Sequence, residues 1–261
     1  MTERQPRTSA LRKTSEALPR RRRRLPALLG ALALSLLGPT AAAQAATETA
    51  EQANPATPLA DAQIVDSTGV GGNTVAFTFD DGPNPSDTPR LLQILRQYQV
   101  KAVFCLWGEH VQQNPQLVQQ IVADGHVLCN HTMSHEDMGN WSPDQIRANL
   151  EATNAVIQQA APGARIVYFR APNGNWGQSP QVAAELGLQP LGWRLAINDW
   201  EPPGTDELVR RLRQGVTPGA VVLLHDGGGD RSQTVSAVEQ VIPEFQASGW
   251  AFTLPDKSGQ N

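Results

Sequence analysis

The chain has 261 residues, and 40% of them are hydrophobic, which is enough to bury the core of one large domain or two small ones. Residues 1–45 hold nine of its 21 basic side chains but only two of its 25 acidic ones, so the remainder carries 12 basic and 23 acidic groups, about −11 net. Such a surface repels phosphate backbones, which excludes nucleic acid as an expected partner.

The first 46 residues have the pattern of a secretory signal peptide. Five consecutive arginines at 20–24 precede an apolar run at 25–37, and a proline and small residues follow it. The run is shorter than the roughly 20 residues of a membrane-spanning helix. We therefore expect cleavage near residues 45–46, and a secreted or extracytoplasmic protein with no stable membrane span after processing. The Sec and twin-arginine export routes both stay open.

A flexible linker is predicted at 47–64, where Ala, Thr, Pro, Gln and Glu dominate without any hydrophobic period. A single folded domain is predicted at 65–261. It contains the chain's two cysteines, Cys105 and Cys129. An even pair in an exported protein favours a disulfide, although two buried free thiols are the alternative.

Short apolar runs alternate with longer amphipathic runs along this domain. Strands are predicted at 75–79, 102–106, 126–128, 166–169, 189–193, 221–224 and 250–254. Helices are predicted at 88–99, 115–124, 142–160, 179–185, 205–214 and 234–248. This alternation predicts an α/β fold with parallel strands and right-handed crossovers, either a doubly wound sheet or a barrel.

Polar side chains follow five of the seven predicted strands. The carboxyl ends of parallel strands meet on one face, so we expect these side chains to lie together. In chain order they are Asp80 and Asp81, His131 and His135, Arg170 and Asn173, Asp199 and Trp200, and His225 and Asp226.

The spacing of His131 and His135 suits a metal site. Residues at i and i+4 share one face of a helical turn, so two imidazoles can bind one cation, and Asp80 or Asp81 can complete the set. Taken alone, such a pair is more typical of an exposed helix face. Two nitrogen ligands and one oxygen ligand suit zinc or a similar divalent ion. Because adjacent ionised carboxylates repel, we expect one to bind the metal and the other to act as a base.

These five segments, in this order, resemble the motifs of the polysaccharide deacetylases of carbohydrate esterase family 4, the chitooligosaccharide deacetylase homology domain. The resemblance spans about residues 74–255, and the segments TFDDGP (78–83) and HTMSH (131–135) match its first two motifs fully. It implies a single catalytic domain with a distorted seven-stranded (β/α) barrel. The roles it implies are a general base at Asp80, metal ligands at Asp81, His131 and His135, a contact from Arg170 that holds Asp80, a general acid at His225, and a pocket for the acetyl methyl at Leu224.

Two positions depart from the family pattern. Asn173 replaces a residue that is usually aromatic, and only its backbone N–H is expected to serve as an oxyanion donor. Ala196 replaces the first acid of an Asp-x-x-Asp-Trp segment, while Asp199 remains to orient His225. Trp200 is expected either to line the groove or to be a core aromatic, and Trp141 and Trp176 are further candidates for sugar stacking.

The resemblance implies a secreted hydrolase that uses one divalent metal, zinc or else cobalt or a similar ion, to remove N-acetyl groups from peptidoglycan or chitin-type oligomers. The N-acetylated polysaccharide is then the expected partner of a chain that we expect to be monomeric. An O-acetyl xylan esterase is the alternative, since the same chemistry cleaves an ester. A non-catalytic glycan-binding homologue would be expected to lack Asp80, a metal ligand or His225, and a metal-free cyclic amidase would lack the two histidines.

Overall fold

The computed structural model describes residues 62–256. The predicted signal peptide at 1–46 and nearly all of the predicted linker at 47–64 lie outside the described residues. No helix in the described part of the chain is both long enough and apolar enough to cross a bilayer.

Within residues 62–256, the chain forms eight strands and seven α-helices. The strands are β1 (Thr74–Gly82), β2 (Val103–Leu106), β3 (Val127–Asn130), β4 (Ile166–Phe169), β5 (Gln189–Pro190), β6 (Leu195–Ala196), β7 (Ala220–His225) and β8 (Ala251–Phe252). The helices are α1 (Thr88–Gln97), α2 (Gly108–Gln113), α3 (Pro115–Ala123), α4 (Pro143–Ala160), α5 (Ser179–Glu185), α6 (Thr205–Gly215) and α7 (Ser232–Ala247). A 3₁₀ turn, Pro172–Gly174, follows β4.

The strands form a parallel sheet in the order β5-β4-β3-β2-β1-β7-β6, with β8 beside the start of β1. Followed around a circle, the first seven strands lie in chain order, as a (β/α) barrel requires, whereas a doubly wound sheet reverses direction. Among the described strands, β5 and β6 are not paired with each other, so the barrel is open between them. The α/β prediction of a distorted seven-stranded barrel is therefore confirmed.

Two elements were not predicted, and two strands are shorter than predicted, of which β8 has two residues instead of the predicted five. Helix α2 has six residues, of which only Gly108 and Val111 are buried, so it is too short to show a helical period. Strand β6 consists of two half-buried residues. Strand β5 has two residues instead of the predicted five, and beyond it Leu191 makes an isolated parallel bridge with Val65.

The central strand β1 is buried along its whole length, and its successive side chains point alternately to the outer core under the helices and to the barrel interior. Phe77 and Phe79 pack in the core between the sheet and the helices, where Phe79 stacks on Phe104 with ring centroids 5.4 Å apart. Ala76 belongs to a smaller cluster inside the barrel. Asp80 lies on the same face as Ala76, so the strand delivers its carboxylate to the barrel interior at the carboxyl end.

Cys105 and Cys129 also face the barrel interior. They are register partners on β2 and β3, with Cα atoms 4.2 Å apart, and the structure joins them by a disulfide. Both side chains are fully buried. The bond ties β2 to β3, the strand that precedes the two histidines of the candidate site.

His126, which precedes β3 at the opposite end of the barrel, predicts a pH effect on stability. Its Nδ1 accepts the Ala102 N–H at 3.2 Å. Burial, helped by the charge of Lys101, lowers the pKa of His126 from 6.5 to about 4. Between these two pKa values the unfolded chain binds a proton at His126 that the folded chain does not. The contribution of the neutral His126 to the free energy of unfolding is therefore complete above pH 6.5 and is lost as the pH falls towards 4.

We expect His126→Asn to remove this acid-induced loss of stability, because asparagine keeps an acceptor for the Ala102 N–H but cannot titrate. Between pH 7 and pH 4.5 the free energy of unfolding of the wild type should fall by roughly 2–3 kcal/mol more than that of the variant. Urea unfolding of both proteins at the two pH values measures the difference, in which the other titrating groups cancel. Equal losses would show that His126 does not resist protonation.

Candidate active site

A cavity of about 400 Å³ opens at the carboxyl ends of the strands. Its walls are formed by Asp80, Asp81, His131, His135, Ala171, Asn173, Trp193, Trp200, Leu223 and His225. Side chains from β1 and β7 and from the loops after β3, β4, β5 and β6 thus meet in one place. The predicted convergence of the strand ends is what the structure shows.

Asp80 is held by a fully buried arginine. Arg170 Nη1 donates to Asp80 Oδ1 at 2.6 Å and to Thr78 Oγ1 at 2.8 Å. The rest of the guanidinium donates to main-chain carbonyls, with Nε on Leu191 O at 3.0 Å and Nη2 on Gly192 O at 2.9 Å. These bonds fix the orientation of the guanidinium, and Oδ1 of Asp80 is engaged by its bond to Arg170. Oδ2 lies 3.6 Å from His131 Nε2, among the remaining side chains of the site.

Three donor groups converge beside Asp80 in an arrangement that fits a metal ion. Asp81 Oδ1 lies 3.4 Å from His131 Nε2 and 3.9 Å from His135 Nε2. One ligand atom from each residue falls within 4.8 Å of the others. Asp81 Oδ1 is buried and has no hydrogen-bond partner among the described residues, which is costly for a carboxylate oxygen unless a cation binds it. The donor set of two nitrogens and one oxygen suits zinc or a similar divalent ion.

The charges in this cluster favour an ionised Asp81. Burial alone would raise the pKa of its carboxyl, but the adjacent imidazole of His131, with smaller contributions from the charges of His225 and His135, lowers that pKa to about 2. Burial would lower the pKa of His131, but Asp80 and Asp81 together raise it. His131 Nδ1 donates to Arg170 O at 2.8 Å, because a carbonyl can only accept, and this leaves Nε2 for a cation.

Glycines let a loop approach Asp81 closely. A Cβ atom on Gly227 would lie 2.0 Å from Asp81 O, and one on Gly228 would lie 2.5 Å from Asp81 Oδ2. Arg231 holds this loop through Nε on Gly227 O at 2.8 Å and Nη2 on Gly228 O at 3.0 Å. The loop after β7 therefore lies directly against the backbone and the carboxylate of Asp81, a contact that no motif of the sequence indicates.

Several non-glycine residues around the cavity have a left-handed backbone conformation. Asp81, Thr132, His135, Asn173 and Asn198 all have φ between 51° and 71° without being glycine. Left-handed conformations cost such residues on the order of 1–2 kcal/mol each. Their clustering indicates that the fold pays this cost to aim side chains and peptide groups into the cavity.

His225 and Asp199 form a buried pair on the other side of the cavity. Asp199 Oδ1 accepts from His225 Nδ1 at 2.8 Å, while Oδ2 accepts the His225 N–H and the Thr234 hydroxyl, both at 2.9 Å. Burial would lower the pKa of His225, but the hydrogen bond and charge of Asp199, aided by Asp80 and Asp81, raise it. His225 Nε2 is thus the nitrogen that can exchange a proton with a bound molecule. Ala196, the departure from the family pattern, does not line the cavity and leaves this pair intact.

The predicted assignment of Leu224 to the cavity is wrong. Leu224 lies in the core between the sheet and the helices, and Leu223 lines the cavity instead. Successive side chains of a strand point to opposite faces, so the leucine that shares a face with His225 is the one two positions before it.

The aromatic side chains are distributed differently from the prediction. Trp200 lines the cavity as expected, is 42% exposed, and packs edge-on against His225 with ring centroids 5.5 Å apart. Trp141 and Trp176 pack against a second core cluster instead. Trp193, which no motif marked, lines the cavity with its ring centroid 5.6 Å from the Arg170 guanidinium carbon.

Asp226, the last of the polar residues that follow the strands, does not face the cavity. It is fully buried and accepts the Thr88 hydroxyl at 2.5 Å. Burial, reinforced by the charges of Asp81 and Asp80, raises its pKa to about 7. Its hydrogen bond with Thr88 links the segment after β7 to the first residue of α1.

Comparisons with known proteins agree with this geometry. The family model described as polysaccharide deacetylase matches residues 68–191. A chitooligosaccharide deacetylase of Bradyrhizobium sp. (strain ANU 289) is 38% identical over 192 residues, which cover 69% of this chain and 88% of the relative. A peptidoglycan-N-acetylglucosamine deacetylase of Bacillus cereus is 37% identical over 181 residues, which cover 68% and 84%.

A solved structure of a peptidoglycan N-acetylglucosamine deacetylase, in complex with a benzamide, is similar with a TM-score of 0.69 and 30% sequence identity. The match covers 74% of this chain and 91% of that one. The solved structure therefore shares this fold over nearly the whole of its chain.

Proposed function

The chain belongs to the polysaccharide deacetylase family, and on that premise we propose that it hydrolyses the N-acetyl groups of a peptidoglycan or chitin-type polysaccharide with one divalent metal ion. One observation carries the proposal. A cation-binding set of Asp81, His131 and His135 shares its cavity with a carboxylate held by an arginine on one side and a histidine held by a carboxylate on the other.

The residues of the cavity divide the reaction among them. The metal, when bound, supplies Lewis-acid polarisation of the amide carbonyl and of water. Asp80, whose Oδ2 is not engaged by Arg170, accepts the proton of the attacking water. His225 gives a proton from Nε2 to the departing amine, while Asp199 holds the ring and stabilises its charged form.

Substrate binding falls to the apolar and aromatic part of the wall. Leu223 and Trp193 offer an apolar surface that suits a methyl group. Trp200 is the exposed ring at the rim, and such rings stack on the apolar faces of sugars. The backbone of Asn173, with φ of 57°, turns at the cavity wall, and its N–H is our candidate donor to the oxyanion.

Acetate release from a panel of substrates tests the function. We expect release from N-acetylglucosamine oligomers or peptidoglycan. Release from acetylated xylan alone would replace the amide substrate with an ester. No release from any of them by metal-loaded protein would make the chain a non-catalytic homologue.

We expect one divalent ion, zinc in our proposal, per chain, and its loss in His131→Ala. The variant removes one of the two nitrogen donors. Because protons compete with metals for histidine, and the pKa of His131 is raised, affinity should fall as the pH drops through that raised pKa. Elemental analysis of protein purified without chelator measures the content. An empty wild type, or an unchanged content in His131→Ala, would contradict the site.

We also propose that the protein is exported and acts outside the cytoplasm. The arginine-rich, apolar pattern of residues 1–46 supports this, as does the disulfide between Cys105 and Cys129, since such bonds persist in oxidising compartments. The N-terminus of the exported protein, determined by mass spectrometry, should fall near residue 46. Full-length protein confined to the cytoplasm would contradict export.

A further inference from the structure

The two histidines of the metal set are held in different ways. His131 is buried and anchored by its bond to Arg170 O. His135 keeps 28% of its side chain exposed, and no hydrogen-bond partner of its Nδ1 occurs in residues 62–256. Ligand histidines almost always have such a partner, which fixes the ring. Among the described residues, the contacts that can orient the His135 ring are therefore packing contacts with other rings.

The ring that meets His135 from outside the metal set is Trp107, which directly follows β2. The ring centroids of Trp107 and His135 are 5.3 Å apart. The backbone N–H of Trp107 donates to the carbonyl oxygen of Gly82, the residue after Asp81, at 3.1 Å. The indole Nε1 is buried and has no partner among the described residues, so packing rather than a polar bond places the ring. Trp107 does not line the catalytic cavity.

The indole also packs against His110, which contacts a second metal ligand. The centroids of Trp107 and His110 are 4.4 Å apart. His110 Nδ1 donates to Asp81 O at 2.6 Å, because the carbonyl can only accept. Asp81 has φ of 71°, a conformation that costs free energy, and the bond from His110 fixes its carbonyl in that conformation.

We propose that Trp107 and His110 are positioning residues for the metal site: Trp107 fixes the ring of His135, and His110 fixes the backbone of Asp81. Because the two rings pack together, each supports the contact that the other makes. This inference rests on the proposed metal site, and it concerns the affinity of that site rather than the chemical step. Outer groups that orient metal ligands typically change affinity by 10–100-fold when they are removed.

The test is the Zn²⁺ affinity of the mature chain, measured by competition with a chromophoric chelator. We expect a 10–100-fold loss for Trp107→Ala, and a smaller loss for Trp107→Phe, which keeps a ring. His110→Phe keeps the ring contact without the bond to Asp81 O and should lose about tenfold. His110→Asn, whose amide can donate in place of Nδ1, should recover most of that loss.

The matched control is Trp250, which stacks on Phe245 beside the start of β8, at the other end of the barrel. Trp250→Ala and Trp250→Phe should bind Zn²⁺ as the wild type does. The absorption spectrum of bound Co²⁺ adds a second readout, because a displaced His135 changes the ligand field. We expect an altered spectrum for saturated Trp107→Ala and the wild-type spectrum for both control variants.

Wild-type affinity and an unchanged Co²⁺ spectrum in Trp107→Ala would overturn the role of Trp107, and wild-type affinity in His110→Phe would overturn that of His110. If Trp107→Ala does not fold, Trp107→Leu, which keeps apolar bulk without an aromatic ring, decides the question by the same criteria. Failure of the wild type to bind metal at all would refute the proposed metal site itself, so the two failures are distinguishable.

Discussion

Asp80→Asn is expected to lower acetate release by 10²–10⁴-fold while leaving the bound metal in place. The asparagine keeps the shape of the side chain, and its amide oxygen can still accept from Arg170 Nη1, which lies 2.6 Å from Asp80 Oδ1 in the wild type. It cannot take a proton from water, so the loss should be that of a removed general base. Acetate release and metal content, measured on the same preparation, test both halves of the expectation.

The comparison variant is Asp81→Asn, the same change one residue along the chain. It removes the anionic ligand, so we expect weaker metal binding and partial recovery of activity with excess zinc. Asp81 is suited to this role because it remains ionised down to a pKa of about 2. If Asp80→Asn loses the metal and Asp81→Asn retains it, the roles of the two carboxylates are exchanged.

His225→Ala is expected to reduce hydrolysis of the N-acetyl amide by 10²–10⁴-fold, the range for a removed general acid. The reason is the leaving group, since a sugar amine departs only when it is protonated. An acetate ester with a phenolate leaving group, such as 4-nitrophenyl acetate, needs no such proton. Its hydrolysis by the same variant should therefore fall far less. Equal losses on both substrates would show that His225 acts in another way.

The variant Asp199→Asn tests the role of His225 through the pH dependence of the activity. The hydrogen bond and charge of Asp199 raise the pKa of His225, so the proton that His225 donates is retained to a higher pH than in an ordinary histidine. Without the carboxylate that pKa falls, and the alkaline limb of the profile of kcat/KM should move to lower pH. A limb that stays in place would assign it to a different group.

The sequence was informative where one residue type at one spacing has few structural solutions. Buried parallel strands appear as continuous apolar runs, so β7 was recognised within one residue of its ends and β1 within three. Because those strands are parallel, the residues after them had to meet, and Asp80, Asp81, His131 and His135 do. Their separate roles in catalysis stay predictions.

Other features left too weak a signal. Whether Leu223 or Leu224 faces the cavity depends on strand parity, and the alternation counted back from His225 would have favoured Leu223. Trp107 directly follows β2 and His110 lies in α2, where no motif marks either residue. Their contacts with His135 and Asp81 form only in the folded structure. Left-handed backbone at non-glycine residues likewise leaves no trace in the composition.

The disulfide inside the barrel also has a consequence for the order of assembly. Cys105 and Cys129 have no exposed surface, so an oxidant or an oxidoreductase cannot reach their sulfur atoms once the sheet has curled around them. Oxidation has to precede closure of the barrel or wait for it to reopen. A chain that folded in a reducing cytoplasm would enclose two thiols, and on later exposure to air these would oxidise only in molecules whose barrel reopens. Protein made there and protein made by export are therefore two species of one sequence, to be compared only after their thiols have been counted under denaturing conditions.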